Sequence, residues 1–401
     1  MKGAPDCAFA VLDLGTARTT LLQATLSQGT LRYLGHVTQA SAGLRKGSVV
    51  SLPAAAECIR GAAARLEQRT GMPVERVFLS LTGAHVKGVG SQAGISLTSR
   101  SREITRDDAR RALDLARSIA LPEDRQILHV VPQEFVLDRQ GGIHEPVGML
   151  ASRMEARIYA ITVAAGTKDN LVLAANQAGL EVQELIFAPL AVAEACLRAE
   201  DRHAGVAVVD LGAGSTGILV YAQGSLAHAA VIGIGGDHFT NDIAVGLTTP
   251  QPEAERIKCD YGAVTVGYTA ENSEIEVPGL GAVSPRLQPR RQLVECIEPR
   301  AKELIRMIGA EVMRAGPPIA GLVVSGGGGR LQGFLDMLAA ATGLPVRVAA
   351  PSLIEGMPDE MAEPEFAFAV GGCYYAHRLL ARQPRAASWW ARLKQRIEEL
   401  A

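Results

Sequence analysis

Aromatic residues, long apolar runs and an excess of either charge are all scarce in this sequence of 401 residues. Phe, Trp and Tyr make up 4% of the chain, and its two tryptophans, Trp389 and Trp390, are adjacent near the C-terminal end. No run approaches the roughly 18 uninterrupted apolar residues of a membrane-spanning helix, so a simple span is excluded. Lysine and arginine (40) nearly balance aspartate and glutamate (42), which argues against a protein that coats nucleic acid. Hydrophobic residues, at 48%, suffice for about two to four packed domains.

Cysteine patterning gives no sign of a metal site or of disulfides. The six cysteines are scattered, with no Cys-x-x-Cys pair and no histidine at ligand spacing. We therefore expect buried free thiols in a reducing cytosol. The first ten residues carry one lysine and no apolar core, so no signal peptide is expected.

Two segments share one pattern and predict a duplicated α/β core. Residues 9–24 are typical of an apolar strand, a turn at Asp13-Leu14-Gly15 and a second strand. Residues 205–223 repeat this order around Asp210-Leu211-Gly212. A later strand at residues 322–325 leads into four glycines and a helix that runs to about residue 341. We predict two related halves on either side of a cleft.

The segments between and after these patterns predict further subdomains. Thr105, with Asp108 three residues later, predicts a helix start, and strands at residues 126–137 and 157–163 follow, with a turn at Gly141-Gly142. Helices are expected at residues 293–315 and 366–381. The predicted domains are residues 1–82 and 164–204 (first half), 83–163 (an inserted α+β subdomain), 205–245 and 318–381 (second half), 246–317 (a further subdomain), 382–387 (a linker) and 388–401 (an amphipathic helix).

The two Asp-Leu-Gly turns have the chemistry of a phosphate site. Consecutive amides in a tight glycine turn form an anion-binding concavity, and a carboxylate at the strand end can hold hydrated Mg²⁺. A single turn of this kind is common in proteins and has no functional meaning by itself. Two such turns in matched hairpins, together with a glycine run before a helix, favour nucleotide binding. The predicted nucleotide-binding residues are Asp13, Gly15, Thr16, Arg18, Asp210, Gly212, Gly214, Ser215, Thr216, Gly235, Gly236, Glu255, Lys258, Gly326, Gly327, Gly328 and Arg330, with Asp13 and Asp210 holding Mg²⁺ through water. For Gly235 to Lys258 the alternative is a turn followed by an ordinary charged helix.

The last 14 residues predict an amphipathic helix that lies on a membrane surface. Apolar side chains recur at spacings of three and four, and basic side chains flank this stripe where they can reach anionic headgroups. The predicted membrane-binding residues are Trp389, Trp390, Arg392, Leu393, Lys394, Arg396, Ile397 and Leu400. The alternative is a terminal helix docked on its own chain or on a partner helix.

Several short motifs extend these patterns. They are HVVPQEF at residues 129–135, PVG at 146–148, LIF at 185–187, VVDLG at 208–212, residues 235–244 and IEPR at 297–300. In them the sequence resembles the FtsA family of bacterial cell-division proteins, within the actin/Hsp70 ATPase superfamily, over nearly its whole length. The resemblance implies an actin-like duplicated ATPase core around a nucleotide cleft, with the inserted subdomain at residues 83–163 and with ATP and Mg²⁺ bound between the halves.

The resemblance also implies function and partners. It implies actin-like filaments at the septum, on the cytoplasmic face of the inner membrane, which tether FtsZ polymers to anionic lipids and bind other division proteins through the inserted subdomain, but no nucleic acid. The FtsZ C-terminal peptide would dock at Arg286, Arg290, Arg300 and Lys302, for which a solvated basic face is the alternative.

One departure from the family pattern concerns ATP hydrolysis. Gly217 stands where many relatives carry a second acidic residue, and Ala213 replaces one of the usual glycines. A lost carboxylate near the metal removes a candidate for orienting Mg²⁺ or the attacking water, so we expect at most slow hydrolysis. A small-molecule kinase or phosphatase of the same superfamily is the alternative function.

Overall fold

The computed structural model describes residues 7–382 except residues 28, 99–100, 271, 282–283 and 317. Its strands, in chain order, are β1 (Cys7–Leu14), β2 (Arg18–Ser27), β3 (Thr30–Ala40), β4 (Leu44–Arg45), β5 (Ser48–Val49), β6 (Arg76–Leu81), β7 (Lys87–Ser96), β8 (Arg102–Glu103), β9 (Arg125–Leu137), β10 (Gln140–Ile143), β11 (Leu150–Ala151), β12 (Arg153–Ala164), β13 (Glu181–Phe187), β14 (Val206–Leu211), β15 (Thr216–Ala222), β16 (Ser225–Ile232), β17 (Glu274–Val277), β18 (Arg286–Pro289), β19 (Gly321–Ser325) and β20 (Val346–Val348).

The α-helices include those expected after Thr105, at residues 293–315, after the glycine run and at residues 366–381, together with others that the sequence patterns did not indicate. They are α1 (Leu52–Thr70), α2 (Arg106–Arg117), α3 (Ala165–Gln177), α4 (Ala188–Cys196), α5 (Ala199–Ala204), α6 (Gly236–Gly246), α7 (Gln251–Tyr261), α8 (Arg290–Arg314), α9 (Phe334–Thr342) and α10 (Ala367–Arg382). None of these helices is both long and apolar enough to cross a membrane. The predicted amphipathic helix at residues 388–401, with its membrane-binding residues, lies outside the described residues.

Two five-stranded sheets with one topology form the core. The first has the order β3-β2-β1-β6-β13 and the second the order β16-β15-β14-β19-β20. In each sheet the first three strands of this order pair antiparallel and the last three pair parallel. The strands β1 and β14 are therefore central, which explains their nearly continuous apolar sequences. The predicted duplicated α/β core is confirmed.

The two central hairpins correspond residue for residue. Asp13 is the next-to-last residue of β1, and Asp210 is the next-to-last residue of β14. In both turns, the glycine two positions after this aspartate donates its amide to the carbonyl three positions further on, at 3.1 Å: Gly15 to Arg18, and Gly212 to Ser215. The two Asp-Leu-Gly segments therefore share one local structure as well as one sequence.

The inserted segment forms a separate antiparallel sheet of order β10-β9-β12-β7, against which α2 packs. Its own core includes Ile104, Phe135 and Met154. The predicted start of α2 is confirmed, because Thr105 and Asp108 form a reciprocal capping box. Asp108 is also buried and accepts two hydrogen bonds from the Arg102 guanidinium, at 2.7 and 2.8 Å.

The predicted turn at Gly141-Gly142 is wrong. Both glycines belong to β10, and the turn falls at Asp138 and Arg139, whose φ angles are 45° and 81°. The Asp138 carboxylate accepts hydrogen bonds from the Ser152 amide and hydroxyl and from the Arg153 amide. These bonds hold a left-handed turn that aspartate tolerates better than most residues.

The helices α4 and α10 cross in the core that covers the first sheet, and α4 also packs on β14 and β15 of the second sheet. Gly371 of α10 lies at the crossing, where a Cβ would be 1.8 Å from the carbonyl oxygen of Ala191 in α4. The next residue, Gly372, packs on Val11 of the first sheet, and a Cβ there would be 2.5 Å from a methyl carbon of the valine. The two helices are therefore in direct backbone contact, with no side chain between them.

The helix predicted at residues 293–315 is confirmed as α8. Leu293, Ile297, Leu304 and Ile308 are fully buried and lie on one face of it. This face packs towards β15, β16, α6 and α9, so α8 connects the β17–β18 hairpin to the second sheet.

Candidate functional site

The two hairpin turns meet in the cleft between the halves. A Cβ at Gly214, in the second turn, would lie 2.5 Å from the Thr16 hydroxyl oxygen in the first turn, so this approach requires glycine. The glycine run closes in from another side. Gly326 has a φ of 81°, and a Cβ there would lie 2.4 Å from the Leu211 carbonyl oxygen and 3.2 Å from Asp210 Oδ1. The structure thus brings the predicted phosphate turns and the glycine run together.

Several backbone amides in these turns have no partner. Across the part of the chain that the structure describes, the N–H groups of Thr16, Ala17, Ala213, Gly214 and Ser215 donate to no protein acceptor. Gly214 and Ser215 are buried, and a buried amide without a partner is costly unless a ligand or water satisfies it. Runs of free amides in two facing turns are an anion-binding arrangement.

The carboxylates of Asp13 and Asp210 lie at the matching strand ends beside these amides. Burial raises the pKa of Asp13 to about 7; a hydrogen bond with Ser80 opposes this rise and the charge of Asp210 adds to it. Burial also raises the pKa of Asp210 to about 6. Because the charge of Asp210 raises the pKa of Asp13, the two carboxylates are close enough to repel each other, and a bound cation would relieve this repulsion.

The donor set fits a hydrated magnesium ion. Among the described residues, no three His, Cys, Asp or Glu side chains are grouped as a metal site. Two carboxylates match Mg²⁺, which keeps several waters and takes further oxygen ligands from phosphates. Such a site needs no thiol ligand. The cysteines with described side chains are free thiols as predicted: Cys58, Cys196, Cys259, Cys296 and Cys373. Their predicted burial is wrong for two of them, because Cys259 is exposed and Cys296 is only half-buried.

Gly235 and Gly236 pack against the second turn, and their amides are already hydrogen-bonded within the protein, so they are not free to bind a phosphate. The Gly236 amide donates to the Gly212 carbonyl at 3.0 Å, and the Gly235 amide donates to Nδ1 of His238 at 3.1 Å. A Cβ at Gly235 would lie 2.5 Å from two carbonyl oxygens of the turn. Their role is to fasten the start of α6 onto the turn at close range.

Lys258 and Glu255 lie on one face of α7 and form an ion pair of 2.6 Å. The Lys258 ammonium also donates to the Thr240 hydroxyl at 2.8 Å and to the Gly236 carbonyl at 3.1 Å. Only 13% of the Lys258 side chain is exposed. This cation is therefore fixed where α7 meets the start of α6, next to the second turn.

Arg18 and Arg330, which come from opposite halves, are joined by Glu365. One carboxylate oxygen of Glu365 pairs with Arg18 at 2.8 Å and the other lies 3.6 Å from Arg330, which also pairs with Glu363. We call this arrangement the Glu365 clasp. It lies in the segment before α10, to which the sequence patterns gave no role.

A pocket of 340 Å³ opens beside the glycine run. It is lined by Val324, Gly326, Gly329, Arg330, Leu331, Gln332, Gly333, Leu335, Asp336, Val348 and Pro364. Ligand pockets typically measure about 300–1,000 Å³, so this one is large enough for a nucleoside. Arg330 therefore both lines the pocket and takes part in the Glu365 clasp.

Gly217 has no room for a side chain. A Cβ at this position would lie 2.4 Å from Cγ of Pro189, at the start of α4. The proline ring takes the space that the first carbon of a side chain would need. An acidic side chain at this position would therefore require Pro189 to move.

The four cations predicted to bind a peptide are already engaged and do not form one free basic face. Arg286 donates to the Leu247 carbonyl, and Arg290 donates to the Tyr261 carbonyl at 2.8 Å. Arg300 forms a two-pronged pair with Asp242 at 2.8 and 3.2 Å, and only 28% of its side chain is exposed. Lys302 pairs with Glu298 at 2.7 Å and is 65% exposed. Of the four, Lys302 is the cation most open to a partner.

Lys46 is a site residue that the sequence patterns missed. It lies with Gly47 at the tip of the β4–β5 hairpin, and the Gly47 amide donates to the Thr16 hydroxyl at 3.2 Å. The Lys-Gly pair indicates a tight turn. Nothing in the neighbouring sequence indicates that this turn lies close in space to residues 16 and 214.

Two sheets of one topology around a cleft, with matched Asp-Leu-Gly turns, define an actin-like fold. The solved PilM–PilN type IV pilus biogenesis complex is similar, with a TM-score of 0.66 and 17% identity, over 92% of this chain and 98% of that chain. MreB5 of Spiroplasma citri, solved bound to ADP, is similar with a TM-score of 0.53 and 14% identity, over 95% and 99% of the two chains.

The family follows from sequence comparison. The family model "Cell division protein FtsA" matches residues 207–371, and "SHS2 domain inserted in FTSA" matches residues 83–162. Cell division protein FtsA of Pseudomonas aeruginosa is 34% identical over 368 residues, which are 91% of this chain and 88% of that relative. The chain belongs to the FtsA family of cell-division proteins.

Proposed function

We propose that this chain binds ATP with Mg²⁺ in its cleft and, in that form, polymerises on the inner membrane and tethers FtsZ filaments to it at the division septum. The observation that carries the nucleotide part is the set of unpaired amides in two facing turns, beside the carboxylates of Asp13 and Asp210. Neutral amides and a metal-binding pair of carboxylates together suit a polyphosphate better than they suit a neutral sugar.

Each part of the site then has one task. The turn amides bind phosphate oxygens, the two aspartates orient water molecules, and the pocket beside Arg330 receives the nucleoside. Bound Mg²⁺ supplies positive charge that neutralises the phosphates. Because these parts come from both halves, ATP binds the closed form more tightly than an open one and shifts the population towards it.

Hydrolysis is slow at most in this proposal. A phosphoryl-transfer enzyme positions a base or a water-orienting group near the terminal phosphate. Gly217 supplies no such group, and Pro189 fills the space beside it. The nucleotide therefore acts as a conformational ligand, and the work of the protein is assembly.

Nucleotide binding is tested by titrating the full chain with a fluorescent ATP analogue, with and without Mg²⁺. We expect Asp210→Asn to weaken Mg²⁺-dependent binding at least about tenfold, which is about 1.4 kcal/mol. Asp169→Asn, an exposed aspartate on α3, is the matched control and should leave affinity unchanged. Equal affinity in wild type and Asp210→Asn would contradict the nucleotide proposal.

Membrane attachment is tested by co-sedimentation with anionic liposomes. The full chain should pellet in the presence of ATP, whereas a chain ending at residue 387 should stay in solution with its ATP affinity intact. Burial of an amphipathic face and attraction to anionic lipids act together in such binding. If both chains pellet equally, the proposed membrane helix is wrong.

FtsZ binding is tested with the FtsZ C-terminal peptide by fluorescence anisotropy. Lys302→Ala should weaken peptide binding, because Lys302 is the most exposed of the four predicted cations. Arg291→Ala, which removes a cation outside the predicted set on the same helix, is the control. If neither Lys302→Ala nor Arg300→Ala changes the affinity for the peptide, the peptide binds at a surface other than the predicted one.

A further inference from the structure

Lys46 and the adjacent Gly47 lie between the two phosphate turns, and each of them contacts one of the turns. A Cβ at Gly214, in the second turn, would lie 2.7 Å from Cα of Lys46 and 3.0 Å from its amide nitrogen. On the other side, the Gly47 amide donates to the Thr16 hydroxyl of the first turn at 3.2 Å. The hairpin tip therefore belongs to the first half but lies against the second turn.

The backbone at this tip is held in one conformation. A Cβ at Gly47 would lie 2.2 Å from the Thr82 carbonyl oxygen, so the tip is also packed against the residues that follow β6. Lys46 itself has a φ of 50°, in the left-handed region that costs a non-glycine residue about 1 kcal/mol or more. The chain nevertheless carries a lysine side chain here, where glycine would fit without strain.

The Lys46 ammonium is not neutralised by the protein. The other cations of the site, Arg18, Lys258 and Arg330, each pair with a carboxylate. Lys46 is exposed and makes no ion pair with any described residue. Burial lowers the pKa of His238 at the start of α6, and the charge of Lys46 lowers it further, so the ammonium lies on the side of the second turn.

The position of Lys46 along the turn indicates which phosphate it meets. The glycine run, which lines the pocket, contacts the beginning of the second turn at Leu211, whereas Lys46 contacts the middle of the turn at Gly214. The nucleoside end of a ligand therefore lies at the beginning of the turn, and the lysine lies further along it. An unpaired ammonium is a compact point charge, suited to a phosphate that carries the most negative charge.

We infer that Lys46 binds the terminal phosphate of the bound nucleoside triphosphate and so holds the first-half hairpin on the second turn. The inference rests on the proposed nucleotide binding and adds a residue that distinguishes ATP from ADP. The turn amides and Mg²⁺ serve both nucleotides, whereas the contact with Lys46 is complete only with the third phosphate.

The experiment measures the affinities of the full chain for ATP, ADP and AMP, each with Mg²⁺, by calorimetry. The variants are Lys46→Gly, which removes the ammonium at a backbone position that glycine adopts easily, and Lys46→Arg, which keeps the charge. Arg45→Ala is the matched control, because Arg45 is an exposed cation on the same hairpin. Thermal melting confirms that each variant is folded.

We expect Lys46→Gly to weaken ATP binding about tenfold or more and ADP binding less than about threefold. Lys46→Arg should recover most of the ATP affinity, and Arg45→Ala should behave as wild type. Equal losses for ATP and ADP, or no loss for either, would overturn the role of Lys46 while leaving nucleotide binding intact. If the wild-type chain binds no nucleotide, the proposed function itself fails.

Discussion

Gly371, where α10 crosses α4, gives a direct test of how closely these two helices must pack. Replacing it with alanine adds one methyl group, whose carbon would lie 1.8 Å from the Ala191 carbonyl oxygen and 2.4 Å from the Ala191 carbonyl carbon. Ordinary contacts of a Cβ begin at 3.4 Å, so the helices must separate by about 1.6 Å at the crossing. Backbone atoms on both sides cannot rotate away as a side chain would.

The magnitude follows from two opposing terms. Overpacking a core typically costs about 1–3 kcal/mol, and a clash between backbones belongs at the upper end of that range. Alanine in a helix interior gains about 1 kcal/mol over glycine. We therefore expect Gly371→Ala to lower the free energy of unfolding by about 2 kcal/mol.

The measurement is urea unfolding followed by far-UV circular dichroism. The matched control is Gly61→Ala in the interior of α1, where nothing lies within 4 Å of the added Cβ. The same substitution should there stabilise the protein by about 0.5–1 kcal/mol. The reasoning fails if Gly371→Ala is as stable as wild type, or if both substitutions change stability in the same direction.

Three further substitutions test other contacts. Asp108→Asn should cost about 1–2 kcal/mol at neutral pH in urea unfolding; because the Arg102 guanidinium holds the pKa of Asp108 below its usual range, the deficit should fade as the pH falls below about 4. Gly217→Asp should lower the melting temperature through its clash with Pro189 without raising ATP hydrolysis, and adding Pro189→Gly should recover the melting temperature. Glu365→Gln should raise the affinity for a fluorescent ATP analogue about threefold, because the carboxylate that competes for two arginines is lost.

Features that depend on neighbouring residues could be predicted from the sequence. The capping box of Thr105 and Asp108 sets the start of α2 through contacts three residues apart. The turns after Asp13 and Asp210 are equally local, since each is closed by one bond between a glycine amide and a carbonyl three residues later. Repetition of that local pattern was enough to predict the duplicated core.

Features that depend on distant residues could not be predicted in the same way. Arg18 and Glu365 are 347 positions apart, so no spacing rule connects them. The tip at Lys46 is a tight turn by sequence, and only the packed structure brings it to Gly214. Even the local signal of Gly141-Gly142 failed, because side-chain hydrogen bonds to Asp138 fixed the turn elsewhere.

The matched hairpins differ in what they present to a ligand. At equivalent positions the first turn carries Arg18 and Thr20, whereas the second carries Ser215 and Gly217. The first turn therefore offers long or branched side chains, and the second offers almost only backbone. A duplicated protein has in this way lost the twofold equivalence of its halves, so a bound ligand has only one favourable orientation. Each subunit consequently has two chemically distinct sides, and any assembly built from such subunits can use that difference to tell one side from the other.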